Sequence, residues 1–261
     1  MITLTTDFGY VDPFVGMMKG VILGIAPESS IVDITHGITA HNIKEATISI
    51  ASSHKYFPPG TIHVVVVDPG VGTERRPIIV SAHGQRFVGP DNGVFTGVIA
   101  SDTGAKVYEI TAIDYFLKTP GGISSTFHGR DVFSPVAAWL SKGKKPSDFG
   151  SIITEHTMLD LPSPTHKDGM ITGEIIHIDT FGNAITNISI NDIESLRKNT
   201  TIHVRFLDTE AGVVSCYAEG ECTVPRTLIN SSGQLEVFIN SGNAAKLLNL
   251  SIGTPVTVST K

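Results

Sequence analysis

Thr61-Ile62-His63-Val64-Val65-Val66-Val67-Asp68-Pro69-Gly70-Val71-Gly72 is the stretch that decides the fold. Val64 to Val67 is a continuous β-branched run. A strand with one wet face alternates; a continuous apolar strand reads as central and buried on both faces. The run stops at a carboxylate. The proline and glycines after it let the chain turn sharply and approach a ligand closely. Asp68 is therefore expected at the mouth of a sheet.

Outward from this strand, the pattern alternates strand and helix. Ile2 to Thr6 reads as a strand ended by Asp7-Phe8-Gly9. Asp12-Pro13 reads as a helix start, an N-cap acceptor before a proline at the first helical position. Phe14, Met17, Met18, Val21, Ile22 and Ile25 then share one helical face. Ile31 to Ile34 is a short strand, and Asn42 with Glu45 is a cap pair for the next helix. Ile78 to Ala82, Phe87-Val88 and Lys106 to Ile110 add strands, and Asp131 to Ser141 adds a helix carrying Trp139. This alternation predicts an α/β N-terminal domain, residues 1–160, with a mostly parallel central sheet. Ligands bind beyond the carboxyl ends of such strands, where Asp7 and Asp68 stand.

Leu161-Pro162-Ser163-Pro164 breaks the pattern, and residues 161–169 read as a linker. Residues 170–261 read as a smaller all-β barrel domain. Its strands are expected at Ile171–Asp179, Thr201–Phe206, Val213–Tyr217, Leu235–Ile239 and Pro255–Ser259, with short helices near Asn191 and over Asn243–Leu248.

The chain has 261 residues, 41% apolar and 17% charged, with a net charge of −6. That composition excludes disorder, and the acidic balance argues against nucleic acid as a partner. The N-terminus carries no basic or apolar targeting pattern, and no apolar run approaches the ~20 residues a membrane span needs. A cytoplasmic protein without membrane contact is expected. Two cysteines, Cys216 and Cys222, make neither a disulfide framework nor a zinc site.

Several residues invite chemistry. Arg75 can fold back onto Asp68 and orient it, or the pair can be a surface ion pair on a turn. In Phe127-His128-Gly129-Arg130-Asp131, the histidine precedes a helix, where backbone amides favour a neutral imidazole; a capping or surface role is the alternative. Asp7 can accept the two hydroxyls of a ribose, as strand-end acids do in dinucleotide folds. No G-x-G-x-x-G follows the first strand and no Walker A sequence occurs. Asn183 can offer a carboxamide to an adenine edge, and Glu236 can oppose an ammonium group; both also suit ordinary turn and strand positions.

Thr5-Thr6-Asp7-Phe8-Gly9, Val67-Asp68-Pro69-Gly70-Val71-Gly72 with Arg75, Phe127-His128-Gly129-Arg130-Asp131, Asp179-Thr180-Phe181-Gly182-Asn183, and Ser231-Ser232-Gly233 with Gly242-Asn243-Ala244-Ala245 follow in order. In that order they resemble the S-adenosyl-L-methionine (SAM) hydrolases, also called SAM hydroxide adenosyltransferases, a family sister to fluorinase and chlorinase. The resemblance implies attack of water on the ribose C5′ of SAM, releasing adenosine and L-methionine. It implies no cofactor and no metal, SAM being the substrate. It implies a homotrimer with active sites between the N-terminal domain of one subunit and the C-terminal domain of its neighbour. By resemblance, Asp68, Arg75 and His128 activate water and Asp7 binds the ribose. Asn183 falls on the adenine position, and Ser232 and Glu236 on the methionine end. Ile185 stands where the fluorinase has a stacking tryptophan, leaving Phe8 or Phe238 to supply an aromatic wall. The halogenases carry an aromatic hydroxyl in place of Asp68 and a halide-contacting hydroxyl in place of Val71, which favours water here. Two other readings remain: a metal-dependent hydrolase of a nucleoside-type substrate using Asp7, Asp68 and Asp179, and a non-catalytic sensor that binds SAM or adenosine.

Overall fold

The computed structural model describes residues 1–118, 120–196 and 201–260. The chain divides into two compact units, Met1–Asp160 and Leu161–Lys261. Among the described residues no helix is long and apolar enough to cross a membrane.

The first unit is built on a seven-stranded sheet flanked by helices. In chain order it comprises β1 (Ile2–Thr6), α1 (Phe14–Ile25), β2 (Ile31–Thr35), α2 (Ile43–Ser53), β3 (Ile62–Val66), β4 (Pro77–Ala82), β5 (Gln85–Pro90), α3 (Thr96–Ala100), β6 (Lys106–Glu109), α4 (Ser134–Ser141) and β7 (Ile152–Ile153). The strand order is β2-β1-β3-β5-β4-β6-β7. The sheet is mixed. β2, β1, β3 and β5 run parallel, whereas β4 pairs antiparallel with β5 and β6, and β6 with β7. The mostly parallel sheet expected is found in its central strands, and the departure is the antiparallel edge from β4 onward. The reason is local: His83 and Gly84 both take positive φ, 51° and 70°, the twist a two-residue hairpin turn requires.

β3 is the strand the valine run predicts. Val64 and Val66 enter one core with Leu4, Met18 and Val136; Val65 and Val67 enter the other with Ile50, Phe87 and Val98. Each buried valine contributes about 1.5–3 kcal/mol by leaving water. Asn42 caps α2, accepting the Glu45 N–H at 3.1 Å. The cap expected from Asp12 does not form: Pro13 occupies the cap position of α1 and no side chain closes it. The Trp139 helix begins earlier than expected, as a π-turn over Gly129–Phe133 that runs into α4.

The second unit holds β8 (Thr165–Lys167), β9 (Met170–Ile178), β10 (Ala184–Ser189), α5 (Ile190–Leu196), β11 (Ile202–Phe206), β12 (Thr209–Ala211), β13 (Arg226–Ile229), β14 (Gln234–Phe238), α6 (Ala244–Leu247) and β15 (Pro255–Thr260). β8 lies inside the stretch expected to be linker and pairs with β9. The antiparallel order is β12-β11-β15-β9-β10-β14-β13. Val213, just past β12, bridges Thr227 of β13, so the two edges of the sheet meet and it is nearly closed around the core of Ile171, Ile175, Leu235 and Val258. The strand expected at Val213–Tyr217 does not form. That segment makes the single bridge and then a 3-10 turn over Tyr217–Glu219.

Candidate active site

β1 and β3 are parallel neighbours, with Thr6 opposite Val66. Asp7 and Asp68 therefore leave the same edge of the sheet. β2 lies on one side of β1 and β3 on the other, so the chain reverses direction across the sheet here, the place where open α/β sheets bind ligands. After Asp68 the chain makes a compact turn, Val71 N–H donating to the Asp68 carbonyl and Thr73 N–H to that of Gly70. The turn returns Arg75 to Asp68. Gly72 has φ +77°, and a Cβ there would lie 2.2 Å from the Ser125 carbonyl oxygen. Only glycine lets the turn lie so close to the segment preceding His128.

Arg75 is the hub. Its Nε donates to Asp68 Oδ1 at 2.9 Å and its Nη2 to Asp68 Oδ2, a bidentate ion pair. Nη2 also lies 2.8 Å from His128 Nδ1. The side chains are nearly buried, 8% exposed for Arg75 and 5% for Asp68. The guanidinium packs over the Phe133 ring. A guanidinium only donates, so His128 Nδ1 must accept, and the neutral ring carries its proton on Nε2. Burial lowers the His128 pKa, and the Arg75 charge lowers it further.

These groups border a cavity of about 320 Å³ lined by Asp7, Phe8, Asp12, Asp68 and His128 among others. Phe8, Phe14 and Phe127 form a three-ring cluster with centroids 5.3–5.7 Å apart. Asp7 Oδ2 accepts the His41 N–H at 2.8 Å.

The second unit contains a cavity of about 620 Å³ lined by Asp179, Phe181, Asn183, Tyr217, Asn240 and Asn243 among others. Asp179 organises its entrance: Oδ1 accepts the N–H groups of Phe181 and Asn183, and Oδ2 accepts Asn183 Nδ2 at 3.0 Å. Phe181 is left 75% exposed. Tyr217 donates its hydroxyl to Glu236 Oε1 at 2.7 Å and stands edge-on to Phe238. Burial and then the Glu236 carboxylate push the Tyr217 hydroxyl well above the usual phenol range, so it stays a donor.

The residues expected on the substrate fall into two groups. Asp7, Phe8, Asp68 and His128 share the first cavity, with Arg75 behind them; Asn183 lines the second. Ser232, Glu236 and Phe238 are not among the residues lining the second cavity. Ser232 sits in the β13–β14 turn, its N–H on Asn230 Oδ1. Glu236 is 2% exposed, and Tyr217 and Asn230 hold its two oxygens. It therefore positions Tyr217 rather than facing solvent. Phe238 is buried beneath the same ring. Asp12, Phe181 and Tyr217 are cavity residues that sequence reasoning passed over. In the sequence Asp12 reads as a helix cap, and Tyr217 as one position in a strand.

Asp68 pairs with the Arg75 guanidinium, and Asp179 accepts from its own loop. Among the described residues no group of three His, Cys, Asp or Glu is arranged to hold a metal ion.

Residues 2–150 match the SAM hydroxide adenosyltransferase N-terminal domain, and residues 173–257 match its C-terminal domain. The chain belongs to the SAM hydroxide adenosyltransferase family. Its similarity to other proteins is full-length. It is 34% identical to the (R)-S-adenosyl-L-methionine hydrolase of Salinispora tropica, over 99% of this chain and 97% of that one. It is 38% identical to the hydrolase of the same name from Methanocaldococcus jannaschii, covering 96% and 92%. The fluorinase of Actinoplanes sp. is 27% identical over 99% and 97%. Among solved structures, an uncharacterized conserved protein of Thermotoga maritima superposes with a TM-score of 0.93 at 34% identity, covering 99% and 100%.

Proposed function

We propose that the protein hydrolyses S-adenosyl-L-methionine at the ribose C5′, giving adenosine and L-methionine. The observation that carries this is the Arg75 fork, which joins Asp68 and His128 at the sheet edge beside Asp7. The hydrolase names of the full-length relatives support it.

The chemistry suits these groups. SAM is a sulfonium, so its sulfur leaves as a neutral thioether and needs no general acid. The demand is to hold a weak nucleophile in line with the C5′–S bond. His128, neutral and protonated on Nε2, donates to the water oxygen. Asp68 takes the proton as the new C5′–O bond forms and the C5′–S pair passes to sulfur. Arg75 fixes both partners and thereby the tautomer. Asp7 accepts the ribose hydroxyls, and Asn183 meets the adenine edge. Phe181 and Tyr217 supply aromatic surface at the second cavity, as Phe8 does at the first.

Exposed apolar side chains support an oligomeric reading. Tyr10 and Val11, in the loop between the cavity residues Phe8 and Asp12, are 70% and 100% exposed, and Phe181 at the second cavity is 75% exposed. We assign these rims to a homotrimer in which the first cavity of one subunit meets the second of a neighbour.

Incubation of the protein with SAM in chelator, with and without chloride or fluoride, tests the reading. Equimolar adenosine and methionine, indifferent to both additions, are expected. A 5′-haloadenosine, or loss of turnover in chelator, would overturn it.

A further inference from the structure

A chain of polar groups lies behind Asp7, on the side away from Arg75, and no step above uses it. Thr6 and His36 are fully buried. Phe8 N–H donates to Thr6 Oγ1 at 3.2 Å, and Thr6 Oγ1 lies 2.8 Å from His36 Nδ1. His36 Nε2 lies 3.1 Å from Asp33 Oδ1, and Lys19 Nζ donates to Asp33 Oδ2 at 2.6 Å. The approach of His36 to Asp33 is an ion-pair contact without hydrogen-bond geometry; the facing carboxylate favours a ring proton on Nε2, which leaves Nδ1 to accept the Thr6 hydroxyl. The hydrogen bonds then run one way, from Phe8 N–H through Thr6 to His36, with Asp33 facing the ring beyond. The same loop makes two more ties: the His36 carbonyl accepts the Gly9 N–H at 2.8 Å, and His41 N–H meets Asp7 Oδ2. The β1–β2 register shifts between Leu4 and Thr5, the kind of irregularity that re-aims a strand end beside a site.

We infer that Thr6, His36 and Asp33 are positioning residues that hold Asp7 in the orientation needed to accept a ribose diol. The inference rests on the ribose role given to Asp7 above. Thr6 and Phe8 flank Asp7 directly, and one hydroxyl ties both. The buried Thr6–His36 hydrogen bond, with the mostly buried Asp33 facing the far side of the ring, ties the strand end to one arrangement. The relay therefore sets ribose recognition rather than bond cleavage.

Calorimetric binding of adenosine and of 2′,3′-dideoxyadenosine, which lacks both hydroxyls, separates this from a merely structural role. The parent is expected to prefer adenosine. Thr6→Val keeps the shape and removes the hydroxyl; it should weaken adenosine about tenfold and the dideoxy compound less than twofold. Thr6→Ser should restore the preference, and Asp33→Asn at the outer end should lose about threefold of it. Equal weakening of both nucleosides by Thr6→Val, no weakening of either, or a parent that does not discriminate would overturn the relay. SAM turnover by the parent is scored separately. Its absence with discrimination intact removes the hydrolase reading and leaves the relay standing.

Discussion

Arg75→Lys is the sharpest perturbation of the site, because it keeps the charge and removes the fork. In the parent, one guanidinium makes three charge-assisted contacts: two with Asp68 and one, at 2.8 Å, with His128 Nδ1. An ammonium at the end of a flexible stem can face Asp68 or His128 but cannot span both. At least two contacts are lost, each worth about 1.5–3 kcal/mol where a charged group takes part. The sum of about 3–6 kcal/mol is an upper range, since water re-enters part of the space. At about 1.4 kcal/mol per factor of ten, kcat should fall about 10²–10⁴-fold. KM should move less than threefold, because the ribose and adenine contacts lie on other residues. The assay is adenosine release from SAM followed by chromatography, with thermal melting alongside to show that the variant is folded. A folded Arg75→Lys enzyme with kcat within threefold of the parent would refute the claim that a bidentate fork sets the water-activating geometry.

Other expectations follow from the same contacts. His128 is held below its usual pKa of 6.5 by burial and by Arg75, so kcat should be level through pH 6.5 and fall only at more acid pH; an acid limb centred above 6.5 in a pH–rate profile contradicts this. His63 is buried, stacked 4.8 Å from Phe87, and burial pushes its pKa down to about 4. The unfolded chain then binds the extra proton first, so stability is full above pH 6.5 and is lost as pH falls toward 4. Between pH 7 and 4.5 this amounts to about 2–3 kcal/mol. Urea unfolding of His63→Leu should show that much less pH dependence than the parent, and an identical dependence sinks the assignment. Gly72→Ala places a Cβ 2.2 Å from the Ser125 carbonyl at a φ of +77°, so about 1–3 kcal/mol of stability and at least about tenfold in kcat should go; a variant with parent-like melting and turnover contradicts the close approach.

Much of the first unit was legible because its signals are local. The Val64–Val67 run names its own strand, and Asn42 with Glu45 names its own cap. Asp7 and Asp68 are placed by nothing more than standing after adjacent parallel strands. What escaped was decided at a distance. The His83-Gly84 hairpin itself is local, but which strand β5 takes as its other neighbour, β3, is settled across the sheet. Asp12 has the sequence of a cap and the position of a cavity residue, because Pro13 takes the cap position. Glu236 reads as a free carboxylate in an apolar strand. Its two partners, Tyr217 and Asn230, come from loops whose courses no periodicity reveals. Tyr217 itself sits in a 3-10 turn just past the Val213–Thr227 bridge, where the sequence reads as strand.

The seam of the second unit joins two things usually kept apart. Its edges are stitched by Thr227 N–H to the Gly212 carbonyl and Val214 N–H to the Thr227 carbonyl. Tyr217 follows on the same strap of backbone. Breathing of the sheet at this point and unlatching of the aromatic wall are thus one motion. The amide protons of Val214 and Thr227 should exchange with solvent as a pair, at a rate that reports how often the cavity stands open. A ligand gripping Tyr217 should slow both without touching either.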